Sequence, residues 1–170
     1  MDNRGCYIRT DYDDNDQDSV YRSEDYYNGA LNRKDFAFLM NYANDTLTTQ
    51  INSCLKSCAL HYIEQYQQLK QSNLISTDLK IQKTPPGGGY HIWHYENFSM
   101  WYAMRDLTWM IYLNDIHDDG GTCWPQQDFT ATPRAGDLYI WPAGWTHSHY
   151  GLPAKKEKYI LTGWCEISNK

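Results

Sequence analysis

Beyond Asn73 the chain is cut by Gly, Pro and Asp into short β-prone runs at 79–84, 90–95, 107–114, 137–141 and 158–167. Runs this short cannot each bury a face alone. They must pair into sheets that close on one another, as in a sandwich or barrel, of which the double-stranded β-helix is one form. Seven Trp and fifteen Tyr suit that architecture, because bulky rings with one polar edge fill the space between sheets and line concave sites. The β core is expected over residues 77–168.

Upstream, Phe36, Leu39, Met40, Ala43, Leu47, Ile51, Leu55, Cys58, Tyr62, Tyr66 and Leu69 recur at steps of three and four. That period predicts one long amphipathic helix, or two in tandem, within 34–72, laid against the strands as a buttress. Residues 31–170 are expected to make a single domain. Before them, segment 1–30 carries Asp11, Asp13, Asp14, Asp16, Asp18, Glu24 and Asp25 with no period that would bury a face, so it reads as an acidic, solvated tail. It lacks the glycine turn and terminal Glu of an EF-hand loop.

The net charge of −6 argues against a nucleic-acid partner, since phosphate binding rests on clustered Lys and Arg. The five cysteines form an odd set without framework spacing. With no apolar signal core or long apolar run, they point to a soluble protein of the reducing cytoplasm. Cys54 and Cys58 have no nearby residues to complete a zinc quartet and read as buried helix cysteines.

The chemistry concentrates in Gly89-Tyr90-His91-Ile92-Trp93-His94-Tyr95-Glu96. His94 and Glu96, two apart, project from one face of an extended strand and can meet one ion. A second histidine would complete the two-His, one-carboxylate set that binds non-haem Fe(II) and leaves positions open for substrates and oxygen. His147 and His149 are both candidates, and facing direction does not separate them. Downstream, Lys158, Ile160 and Thr162 alternate onto one strand face that leads to Trp164. His61, His91 and His117 read as structural. Trp93, Trp101, Trp109, Trp141 and Trp145 are expected mainly in the core, with Trp93 and Trp101 as candidate cleft walls.

The stretch from Tyr90 to Trp164 resembles the catalytic core of the Fe(II)- and 2-oxoglutarate-dependent oxygenases, prolyl 4-hydroxylases especially. The elements that carry the resemblance are His94-x-Glu96, Arg105-Asp106-Leu107-Thr108 running to Tyr112-Leu113-Asn114, the turn Gly120-Gly121-Thr122, the approach Pro133-Arg134-Ala135-Gly136-Asp137-Leu138, and the closing His149, Lys158 and Trp164. The resemblance implies an α+β, mainly β fold: a double-stranded β-helix (jelly roll, cupin-like) buttressed by N-terminal helix. It implies His94, Glu96 and His149 as Fe(II) ligands, and Lys158 as the cation for the distal carboxylate of 2-oxoglutarate. Tyr112 and Thr162 would be that group's hydrogen-bonding neighbours.

The implied reaction consumes O2 and 2-oxoglutarate, releases succinate and carbon dioxide, and hydroxylates a C–H bond of a peptide, such as a peptidyl proline, or of a small molecule. The short form of the chain is similar to compact bacterial or phage-encoded members. Three departures stand out: Glu96 in place of the commoner Asp, Thr84 where a tyrosine is frequent, and a spacing from Tyr90 to His94 that is one residue longer than usual and predicts a bulge. The alternatives are a cupin-like metalloenzyme that does not use 2-oxoglutarate and a non-catalytic β-sandwich for binding or assembly. A joint purpose for Lys158 and Tyr112 separates the first of these from the dioxygenase.

Overall fold

The computed structural model describes residues 7–9, 35–42, 45–117 and 119–168. Most of the acidic segment 1–30 lies outside them. In chain order the elements are β1 (Tyr7–Arg9), β2 (Phe36–Leu39), α1 (Asp45–Glu64), β3 (Leu74–Thr84), β4 (Arg105–Tyr112), β5 (Thr122–Trp124), β6 (Phe129–Ala131), β7 (Leu138–Pro142), β8 (Tyr150–Gly151) and β9 (Lys158–Ile167). A six-stranded antiparallel sheet runs β1-β2-β3-β9-β4-β7, and a three-stranded sheet runs β6-β5-β8. The two form a double-stranded β-helix, as expected.

Alternation along the large sheet sorts its residues into two layers. On the outer face Leu79, Leu107, Trp109, Leu161 and Cys165 pack with Met40 and with Leu55 of α1, so the helix is the expected buttress. On the inner face Met110, Tyr112 and Trp141 meet Trp124 and Ala131 of the small sheet. Tyr112 pairs with Ile160, Met110 with Thr162 and Thr108 with Trp164, while Thr84 pairs with Lys158. Directly opposed residues share a face, so Lys158, Thr162, Trp164 and Tyr112 all look into the space between the sheets.

Several expectations need correction. The helix does not begin near residue 34: Phe36–Leu39 is a strand that pairs with Lys80–Lys83 of β3, and Met40–Tyr42 is a 3-10 turn. Phe36, Leu39 and Met40 fit a helical period, but the same four residues also alternate. Ala37 is buried and Phe36 exposed, and the open edge of β3 captures them. The helix also stops at Glu64 and gives way to a 3-10 turn at Leu69–Gln71 before the chain reverses into β3. Cys54 and Cys58 are exposed rather than buried, because Leu55 is the side chain that α1 buries in the core. Trp109 and Trp141 are core residues, whereas Trp93, Trp101 and Trp145 are exposed. Among the described residues no helix is long and apolar enough to cross a membrane.

The expected strand 90–95 is not one. Only His94 forms a bridge, to His149. Gly151 N–H donates to Tyr90 O at 2.9 Å, and two residues earlier His149 N–H donates to His94 O at 2.9 Å. Four residues on one side thus span two on the other, and the surplus loops outward, an exaggerated form of the bulge that the spacing predicts.

A second irregularity sits in β3, where the register shifts between Thr77 and Lys80 and Asp78 takes a left-handed φ of 51°. The Asp78 carbonyl thereby lies over Gly163 of β9, where an added Cβ would strike it and come within 2.6 Å of the Trp109 ring. Gly163→Ala is therefore expected to cost about 1–3 kcal/mol through overpacking. Thermal denaturation would show this as a fall of roughly 2–4 °C per kcal/mol.

Candidate functional site

His94 and His149 are brought together by their own backbones, through the reciprocal bond His94 N–H to His149 O at 3.0 Å. Each ring is then oriented by a carbonyl. His94 Nδ1 donates to Ile92 O at 2.8 Å and His149 Nδ1 to His147 O at 2.9 Å. A carbonyl can only accept, so Nδ1 carries the proton in both rings and Nε2 presents a lone pair. Both Nε2 atoms lie 3.4 Å from Glu96 Oε1.

Ligand atoms of His94, Glu96 and His149 all fall within 4.8 Å of one another, a group that could hold a metal ion. His147 is not in the group. Its side chain leaves on the 3-10 turn Trp145–His147, with Nδ1 3.1 Å from Thr146 Oγ1. Two imidazoles and one carboxylate fit Fe(II) as a donor set.

The electrostatics agree with that donor set. Burial alone would raise the Glu96 pKa, but the neighbouring His149 and His94 rings outweigh it and hold the carboxyl well below its ordinary range. Burial, helped by the neighbouring His149, pushes His94 down. At neutral pH the site therefore presents one anion and a His94 ring that favours its neutral, ligating form.

The sequence offers Glu96 as a donor but not the residues that hold its side chain. Trp164 Nε1 donates to Glu96 Oε2 at 2.9 Å, and Arg105 NH1 stands 3.7 Å from the same oxygen. The alternation of Lys158, Ile160 and Thr162 toward Trp164 was the available signal for the first. Aromatic rings enclose the imidazoles. Tyr90 meets His94 edge-on at 4.3 Å, and Trp141 and Trp124 lie 5.1 and 5.8 Å from His149. Those two tryptophans, rather than Trp93 and Trp101, also line a cleft of about 280 Å³ with Tyr62, Tyr66, Phe129 and His147.

Lys158 is buried on the same inner face, and its Nζ donates to Gly120 O at 2.8 Å. Among the described residues no carboxylate comes within ion-pair distance of it. Burial pushes its pKa down to about 8, against a weak opposing pull from Asp35 and Asp119. A buried lysine held by one carbonyl is costly unless an anion completes it, and a dicarboxylate is such an anion. Tyr112 Oη donates to Thr122 Oγ1 at 2.9 Å, and Thr162 Oγ1 donates to Trp109 O at 2.9 Å. Each hydroxyl has one proton to give, so it must turn from that acceptor to donate to a carboxylate, and burial keeps the Tyr112 phenol protonated.

Residues 79–166, over half of the chain, match the model of the 2OG-Fe(II) oxygenase superfamily. Among solved structures, a Pseudomonas putida prolyl-4-hydroxylase is similar at 24% identity and TM-score 0.67, over 84% of this chain and 80% of that one. The viral collagen prolyl hydroxylase of Paramecium Bursaria Chlorella virus-1, in its 2OG complex, is similar at 18% identity and TM-score 0.64, over 81% of each chain. A Trichoplax adhaerens prolyl hydroxylase in complex with a hypoxia inducible factor peptide fragment is similar at 22% identity and TM-score 0.64, over 79% of this chain and 64% of that one. No curated protein is matched by the sequence.

Proposed function

The chain belongs to the 2OG-Fe(II) oxygenase superfamily, and from that premise we propose that His94, Glu96 and His149 are its Fe(II) ligands and that Lys158, Tyr112 and Thr162 receive 2-oxoglutarate. It is a dioxygenase that uses Fe(II), 2-oxoglutarate and O2 to hydroxylate a C–H bond, with release of succinate and carbon dioxide. Oxygen activation is the chemistry that iron and 2-oxoglutarate supply when bound. The chain's own part is to fix both imidazole tautomers, neutralise one carboxylate at Lys158, and wall the centre from water with Tyr90, Trp124 and Trp141.

The observation that carries this assignment is the pairing of a converged His-Glu-His group with a buried lysine on the same inner face whose Nζ donates to the Gly120 carbonyl. A cupin-like enzyme that does not use 2-oxoglutarate gives Lys158 no purpose. The test is anaerobic titration with Fe(II) and then 2-oxoglutarate. A weak visible charge-transfer band should appear only when both are present, and Glu96→Gln should not develop it. A band of full intensity in Glu96→Gln would remove that residue from the ligand set.

For the substrate we propose a peptide, with a prolyl residue as the hydroxylated group. Support comes from two similar structures, a viral collagen prolyl hydroxylase and a prolyl hydroxylase in complex with a peptide fragment, and from the aromatic walls beside the metal group. Mass gain of one oxygen on proline-containing peptides, matched by succinate release, is the expected readout. Residues 31–170 are proposed as one oxygenase domain, since the large sheet joins β2, β3, β9, β4 and β7 and packs through Met110, Tyr112 and Trp141 against the β6-β5-β8 sheet. A cytoplasmic setting is supported by free Cys54, Cys58, Cys123 and Cys165.

A further inference from the structure

We infer that Trp164 and Arg105 act as a clamp on Glu96 Oε2 that makes the glutamate a one-oxygen ligand, with Oε1 alone facing the metal. This rests on the metal-site reading above and adds to it two positioning residues. Glutamate has one more rotatable bond than aspartate, and its terminal torsion is broad. An unrestrained Glu96 could swing both oxygens onto the ion or turn away from it.

The structure divides the carboxylate between two tasks. Oε1 stands 3.4 Å from each imidazole Nε2, whereas Oε2 accepts the Trp164 indole N–H at 2.9 Å. Trp164 is fixed in turn, being 8% exposed and held in β9 opposite Thr108. The Arg105 guanidinium is sandwiched between the Tyr102 and Trp164 rings, 4.0 and 3.6 Å from their centroids. In that sandwich it presents NH1 to Glu96 Oε2 at 3.7 Å. Asn97 Nδ2 holds the Arg105 carbonyl at 3.3 Å, tying the clamp back to the residue after the ligand. An indole N–H donates in one direction only, so it fixes which oxygen stays off the metal.

Co(II) is the probe, because its visible d–d absorption weakens as coordination number rises and its binding can be followed without turnover. Trp164→Phe keeps the ring under Arg105 and removes the N–H. The carboxylate is then no longer held ready for the ion: it turns away in part of the molecules, and in the rest Oε2 joins Oε1 on the metal. Affinity for Co(II) is expected to fall roughly 10- to 100-fold, the range seen when a ligand's outer partner is lost, and the molar d–d intensity should drop. In a Glu96→Asp background the shorter carboxylate no longer reaches the indole, so the same change should cost less than about twofold. Arg105→Lys, read identically in both backgrounds, decides the matter should Trp164→Phe not fold. Unchanged affinity and spectrum in the variant with Glu96, or an equal loss in both backgrounds, overturns the clamp. Failure of the parent protein itself to bind Co(II) would instead overturn the metal-site reading.

Discussion

Lys158→Met is expected to raise the melting temperature of the metal- and cosubstrate-free protein by a few degrees while weakening 2-oxoglutarate binding at least about 100-fold. The two effects share one cause. Lys158 is 6% exposed and its ammonium has a single described partner, the Gly120 carbonyl. Burial lowers its pKa from 10.5 to about 8, a fall that corresponds to about 3 kcal/mol of strain in the charged folded form. Methionine removes that strain and fills similar space. Loss of the bond to Gly120 offsets about 1–2 kcal/mol of the gain, leaving roughly 2–4 °C for each remaining kcal/mol.

The pH dependence follows in sign. Because the folded pKa lies below the unfolded one, protonated Lys158 burdens the folded state at neutral pH. Stability recovers as pH rises from about 8 toward 10.5, where the unfolded chain still holds a proton that the folded chain has released. Lys158→Met should flatten that rise. For the cosubstrate the balance reverses, since a dicarboxylate left without its buried cation loses about 3–5 kcal/mol, or roughly 10²- to 10⁴-fold in affinity. A variant that binds 2-oxoglutarate normally, or melts below the parent at pH 7, would remove Lys158 from this role.

What the sequence disclosed depended on how local the deciding interaction was. Strand 158–167 is as expected, and its alternation alone puts Lys158, Thr162 and Trp164 on one face. β5, β6 and β8 went unread because they are three, three and two residues long. Segments that short are strands only by virtue of distant partners. The Phe36–Leu39 run was misread for the same reason, since its strand state comes from β3, some forty residues downstream in the chain. Glu96 was offered as a donor, but the indole N–H that holds its Oε2 comes from Trp164, 68 residues away. No spacing rule reaches that far.

The histidine pair tests the same boundary between local and distant information. Facing direction left His147 and His149 equivalent and the resemblance pointed to His149, whose reciprocal bonds with His94 bring its ring into the group that could hold a metal. His149→Ala is expected to lower Fe(II) affinity and turnover by more than about 100-fold, beyond the cost of losing a merely outer partner. His147→Ala should leave Fe(II) affinity within about twofold of the parent, because the atom that orients His149 is the His147 backbone carbonyl, which alanine retains. Any change in His147→Ala should fall on substrate KM, since that side chain lines the cleft beside Trp124 and Trp141. Metal content by anaerobic dialysis and the kcat against KM split together separate the two roles. Equal loss of metal in both variants would mean that the 3-10 turn carrying His147 folds inward on metal binding, and that the third ligand is shared between alternative rings.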